Sequence, residues 1–319
     1  MTTPVRDQVQ HVFDRCRPLT GGAVADYIPE LATVDPDQFA LAATVLSGET
    51  AGFGDVDTLF TLQSVSKPFA YALALELRGF DAVDAHIDVE PSGEAFNQFS
   101  LDPLTGHPRN AMINAGAITA TSLLPGDADE ATPALLDYLG RFVGHPIMLD
   151  EKVFRSESET GHRNRAIAHL LRSVDVLEGE PDDVLDTYFR QCSALVSTRD
   201  LSLMAATLAN GGVQPLTGEV LMPPLVLRRV LSVMATCGLY DGAGDWLTNV
   251  GLPAKSGVSG AILAVLPGRV GAAVWSPRLN EHGNSVRGVA AFRMLSDEFG
   301  LHVFEVHRET ADARPGGER

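Results

Sequence analysis

Basic residues are scarce in this chain. Its 24 lysines and arginines stand against 41 aspartates and glutamates, a formal net charge of −17 over 319 residues. A surface of that sign repels phosphate backbones and anionic headgroups, which argues against nucleic-acid and membrane-surface partners. Cysteine is scarcer still. Cys16, Cys192 and Cys237 are odd in number and far apart, so they form neither a disulfide framework nor the paired spacing of a zinc site. Cys192 falls in a helical pattern and Cys237 precedes a glycine, and both read as small core residues. No apolar run is long enough to span a bilayer, and the opening MTTPVRDQVQHVFDRCR lacks the apolar stretch of a leader. The expected location is cytoplasmic. What the chain does have is 45% hydrophobic residues with only 7% aromatic and 20% charged. That composition is globular, with length enough for one large domain or two smaller ones.

Apolar periodicity divides the chain into three parts. Residues 5–17 read as a short amphipathic helix, followed by the Gly21-Gly22 break and a loop that carries Tyr27. Phe39 to Leu46 reads as a strand ending in the turn Ser47-Gly48-Glu49. Thr58 to Leu62 reads as a second strand running into Ser64. An Ala- and Leu-rich helix from Pro68 should stop at Gly79. After a loop region around Pro91-Ser92-Gly93 and Asp102–Gly106, helical spacing recurs at 113–124, 132–143, 163–177, 181–192, 199–210 and 223–236. Strand signal returns at 260–266 and 270–275 around the turn Pro267-Gly268-Arg269, and a helix over 284–299 follows. The tail 307–319 is polar and reads as disordered. The predicted fold is α+β: an antiparallel sheet flanked by terminal helices, with a mainly helical insertion. The predicted lobes are 1–67 plus 236–306 and 68–235, forming one catalytic unit with a cleft between them.

Chemistry concentrates at Leu62-Gln63-Ser64-Val65-Ser66-Lys67-Pro68-Phe69. A serine hydroxyl is a weak nucleophile until a base takes its proton, and a lysine three residues on can reach it if burial keeps the amine neutral. Ser66 could cap the helix, with Pro68 in its first turn. Proline disfavours the α conformation at Lys67, so a tight 3₁₀ turn, which stacks positions i and i+3, is expected from Ser64 to Lys67. Ser-x-x-Lys alone also fits a capping serine beside a solvated lysine. Lys255-Ser256-Gly257-Val258, just before the strand at 260, changes the balance. A Lys-Ser-Gly triplet leading into a strand accompanies Ser-x-x-Lys in penicillin-recognising enzymes. Its lysine adds positive potential near Lys67, and a backbone N–H there can donate to an oxyanion. Tyr240 is a candidate proton relay, acting as a phenolate near two lysines.

Several longer strings go further: AVADYIPEL (23–31), QSVSKPF (63–69), NAMINAGAI (110–118), SESETGHRN (156–164), LMAATLANGG (203–212), CGLYD (237–241) and GLPAKSGVSGAI (251–262). Together, and in this order, they resemble the serine-dependent glutaminases, whose fold is β-lactamase/transpeptidase-like. The resemblance implies Ser64 as nucleophile, Lys67 as base and Tyr240 as assistant, with the N–H groups of Ser64 and Val258 as oxyanion hole. It implies Tyr27, Gln63, Asn114, Glu157, Asn164 and Tyr188 as ligands of L-glutamine, supported by Lys255, Ser256 and Gly257. Glu157 suits the ammonium, and the amides and tyrosine hydroxyls suit the carboxylate. No metal or organic cofactor is implied, and a homodimer or homotetramer is. The rivals are a β-lactamase or transpeptidase, which would need export, and a glutamine sensor without catalysis.

Overall fold

The computed structural model describes residues 5–26, 28–94 and 98–305. Tyr27 and the 307–319 tail lie outside the described residues. In chain order the helices are α1 (Val5–Cys16), α2 (Pro29–Ala32), α3 (Lys67–Arg78), α4 (Phe80–Asp84), α5 (Asn114–Ser122), α6 (Ala128–Val143) and α7 (Glu151–Thr160). They continue with α8 (His162–Ser173), α9 (Pro181–Cys192), α10 (Thr198–Ala209), α11 (Pro224–Cys237), α12 (Ala243–Asn249) and α13 (Val286–Phe299). The strands are β1 (Ala40–Val45), β2 (Thr50–Gly54), β3 (Phe60–Thr61), β4 (Met148–Leu149), β5 (Ala194–Val196), β6 (Ala254–Ser256), β7 (Ala261–Leu266) and β8 (Val270–Trp275).

Five strands form an antiparallel sheet in the order β2-β1-β8-β7-β6, so the two ends of the chain meet in its centre. Strand β7 is buried along its whole length, as expected of a strand covered on both faces. Its side chains nevertheless alternate between two cores. Ile262, Ala264 and Leu266 join Val12 of α1 and Phe292 of α13, whereas Leu263 and Val265 join Met204 and Leu208 of α10. On the second face α10 lies directly on β8: a Cβ at Gly271 would stand 2.0 Å from the Ala206 nitrogen. Only glycine allows that approach. The α+β reading with terminal helices on an antiparallel sheet therefore stands.

The strand assignment needs two corrections. The partner of β1 is Thr50–Gly54, with Ala43 opposite Ala51, and not 58–62. Phe60–Thr61 joins instead a separate three-stranded sheet in the order β3-β5-β4. Gly52 and Gly54 dilute the apolar alternation of β2, which is why it reads as a connection. The triplet at 254–256 is itself an edge strand, β6, paired with β7.

The turn Gln63–Ser66 is a 3₁₀ helix that runs directly into α3, and α3 ends at Gly79. Lys67 nonetheless adopts α conformation, φ −56 and ψ −44, despite Pro68. Tertiary packing decides this: α3 is buried from Lys67 to Leu75, and a central helix buried all round overrides a local preference. Ser66 makes no side-chain cap and turns its hydroxyl to the Gln63 carbonyl.

Candidate active site

Ser64 sits inside the 3₁₀ turn and is 8% exposed, on the wall of a cleft of about 330 Å³. That volume is at the small end of ligand pockets and suits a single amino acid. Gln63, Ser64, Asn114, Glu157, Asn164, Tyr188 and Val258 all line the cleft, so one space unites residues drawn from the 3₁₀ turn, α5, α7, α8, α9 and the segment after β6.

Lys67 is 1% exposed. Burial lowers its pKa to about 8, with Cys192 and Glu157 acting in the opposite direction. Its Nζ donates to Asn114 Oδ1 at 2.6 Å, and Asn114 Nδ2 donates to Asn164 Oδ1 at 3.0 Å. Asn114, in the first turn of α5, thus ties the lysine to α8. Lys255 is also buried and donates to the carbonyls of Gly238 (3.0 Å) and Ser256 (2.7 Å). Burial first, then repulsion from Lys67, holds its amine well below the usual lysine range. Desolvation, rather than the neighbouring cation, is what depresses Lys67.

Tyr240 opens a second 3₁₀ turn, Tyr240–Gly242, with φ +57. Its hydroxyl donates to the Ser256 carbonyl at 3.1 Å and is hydrogen-bonded with the Ser64 hydroxyl, and Lys255 Nζ stands 4.1 Å from its ring centroid. Burial pushes its pKa up to about 12. Burial thus favours the neutral phenol over the phenolate at Tyr240. Gly257 carries the end of β6 against the turn that holds Ser64, where a Cβ would stand 3.1 Å from both the Leu62 oxygen and Val65 Cγ2.

Glu157 is 8% exposed, and burial raises its pKa to about 7, with a hydrogen bond from Gln63 and the charge of Lys67 opposing. Its helix, α7, was not legible as a helix in the sequence, although its start is marked: Asp150 accepts from the N–H groups of Lys152 (3.0 Å) and Val153 (3.1 Å). Val153 and Glu157, four residues apart, share the buried face. Five lining residues went unnoticed: Ile28, Thr160, Gly161, Arg163 and Cys192. Arg163 lies over the Phe99 ring at 5.3 Å. Cys192 bonds with Tyr188 one turn earlier on α9, and burial pushes its thiol far up, which disfavours the thiolate.

The profile of the glutaminase family matches residues 22–304. The chain belongs to the glutaminase family. It is 47% identical over 304 residues to a glutaminase of Trichormus variabilis, covering 95% of this chain and 91% of that protein. Among solved structures, Mglu in its glutamate form superposes with a TM-score of 0.92 at 44% identity, covering 97% of this chain and 72% of that one. A probable glutaminase from Bacillus subtilis complexed with 6-diazo-5-oxo-L-norleucine gives 0.88 at 34% identity, covering 95% and 98%. These likenesses bear out the family resemblance and the fold expected from it.

Proposed function

We propose that this glutaminase-family chain hydrolyses L-glutamine to L-glutamate and ammonia through a seryl acyl-enzyme on Ser64. The observation that carries this reading is the placement of a buried Lys67, its amine pKa lowered by burial, at the start of α3 directly after the 3₁₀ turn that holds Ser64, whose hydroxyl meets Tyr240. Lys67 takes the Ser64 proton as the hydroxyl oxygen attacks the side-chain amide carbon. The N–H groups of Ser64 and Val258 receive the oxyanion. The C–N bond then breaks, the nitrogen leaves as ammonia after gaining a proton through Lys67 or the Tyr240 phenol, and water releases glutamate by the reverse proton path. Lys255 holds the β6 end and the Tyr240 ring in place.

Glu157 takes the substrate ammonium, and Asn164 with the Tyr188 hydroxyl takes the carboxylate. In the substrate-free chain Asn114 is engaged at both ends of its amide, which makes orientation of Lys67 its first task. We keep Tyr27 as a further substrate ligand on the family resemblance alone. On the same ground we keep a homodimeric or homotetrameric state, and from the periodicity and composition of the sequence the two-lobe division 1–67 plus 236–306 and 68–235 and a cytoplasmic location. No helix among the described residues is long and apolar enough to cross a membrane.

The test is ammonia release from L-glutamine by the purified protein, with Ser64→Ala alongside. Release that is lost in a variant with an unchanged melting profile supports the assignment. Substantial residual turnover in Ser64→Ala sinks it.

A further inference from the structure

A chain of buried polar groups reaches the turn that carries Ser64. Thr121 of α5, Gln191 of α9 and Ser66 are 3%, 0% and 0% exposed. Thr121 Oγ1 faces Gln191 Oε1 at 3.3 Å, Gln191 Nε2 donates to Ser66 Oγ at 2.9 Å, and Ser66 Oγ donates to the Gln63 carbonyl at 2.7 Å. The direction of this chain is fixed by proton count. Ser66 has one hydroxyl proton and spends it on Gln63, so the group facing its oxygen must be a donor, and that is the amide NH₂ of Gln191. From the sequence Ser66 reads as a candidate helix cap. The structure gives it a defined partner on either side.

The carbonyl at the end of the chain is no ordinary one. Gln63 has φ +48, in the left-handed region that a residue with a Cβ occupies only under outside constraint. Its carbonyl also belongs to the same planar peptide unit as the N–H of Ser64, pointing the opposite way. Whatever grips the Gln63 oxygen therefore also fixes the direction of the Ser64 N–H.

We propose that Gln191, acting through Ser66, is a positioning residue that orients the Gln63–Ser64 peptide and so holds the Ser64 N–H where the oxyanion forms. This rests on Ser64 being nucleophile and oxyanion donor. Gln191 touches neither substrate nor reacting atoms. Loss of the grip lets the peptide plane rotate, which weakens stabilisation of the oxyanion and leaves the substrate's ammonium and carboxylate contacts intact. Full removal of such a donor lowers kcat by about 10²–10³, and loosening one while keeping it present is expected to lower kcat about tenfold.

The experiment compares Gln191→Met, which keeps the volume and removes the amide, with Ser66→Ala, the double variant and Ser64→Ala, all assayed on L-glutamine. Each single variant should lose about tenfold in kcat with KM unchanged, and the double variant should be no slower than the slower single. Multiplied losses in the double variant mean that Gln191 does not act through Ser66 and overturn the proposal. So does a lowered melting temperature with kcat per folded molecule unchanged, which a merely structural role predicts. If Gln191→Met does not fold, Ser66→Ala carries the test by the same split between kcat and KM. Retained turnover in Ser64→Ala would bring down the nucleophile assignment itself. An inactive Ser64→Ala beside fully active relay variants would bring down the relay alone.

Discussion

Replacing Glu157 by glutamine should stabilise the empty protein while weakening its hold on substrate. The carboxyl is 8% exposed and keeps its proton up to about pH 7, against 4.5 for the free side chain, because burial disfavours the charge. Between those values the folded chain carries more protons than the unfolded one, so stability falls as pH rises and the loss is complete above about pH 7. A displacement of this size corresponds to roughly 3 kcal/mol at pH 8. Glutamine keeps the shape and has no charge to desolvate. Part of the gain is returned, because Lys67 loses the carboxylate that favours its ammonium form. Denaturant unfolding at pH 8 should therefore show Glu157→Gln more stable than the parent by about 1–3 kcal/mol, with a gain smaller by about 2 kcal/mol at pH 5.5. The same variant should raise KM for L-glutamine by about tenfold or more, since a hydrogen bond to a charged group is lost. A variant less stable at pH 8, or a gain independent of pH, would refute the assignment of an unfavourably buried carboxylate.

Two further outcomes follow from the same geometry. The base must be unprotonated, so kcat/KM should climb with pH towards a plateau above about pH 8, where Lys67 loses its proton, and fall more steeply below about pH 7, where Glu157 gains one. Lys67→Arg keeps a cation that cannot give up its proton and should cost about 10²–10⁴ in kcat at every pH; a flat profile in the parent enzyme would remove Lys67 from the role of base. Gly257→Ala should push the end of β6 off Leu62 and Val65, lowering kcat more than it raises KM, and a kinetically silent alanine would show that the approach is not needed.

The sequence reveals most where function is written in contiguous residues. Ser64, Lys67 and the Lys255-Ser256-Gly257-Val258 segment stand next to the elements that present them, and the β7–β8 pair with its three-residue turn is a local signal that folds as read. Strand β2 is not legible because its pairing with β1 supplies the alternation that Gly52 and Gly54 withhold. The helix of Glu157 is hidden for another reason: it is mostly charged and buries only Val153 and Glu157, too narrow an apolar stripe to register as a period. The upward push on the Tyr240 pKa comes from burial, which no count of nearby lysines reveals.

Gln191 marks the boundary most clearly. In sequence it is a polar residue near the end of an amphipathic helix, and its partners Ser66 and Thr121 are 125 and 70 positions away. Its meaning lies in a direction, since the single proton of Ser66 forces an amide NH₂ to face it, and direction exists only once α5, α9 and the nucleophile turn have packed together. The buried hydrogen bonds around the Gln63–Ser64 peptide are thus decided after the fold, by which donor the core delivers to which oxygen. Motifs name the atoms that react, and the core decides where they point.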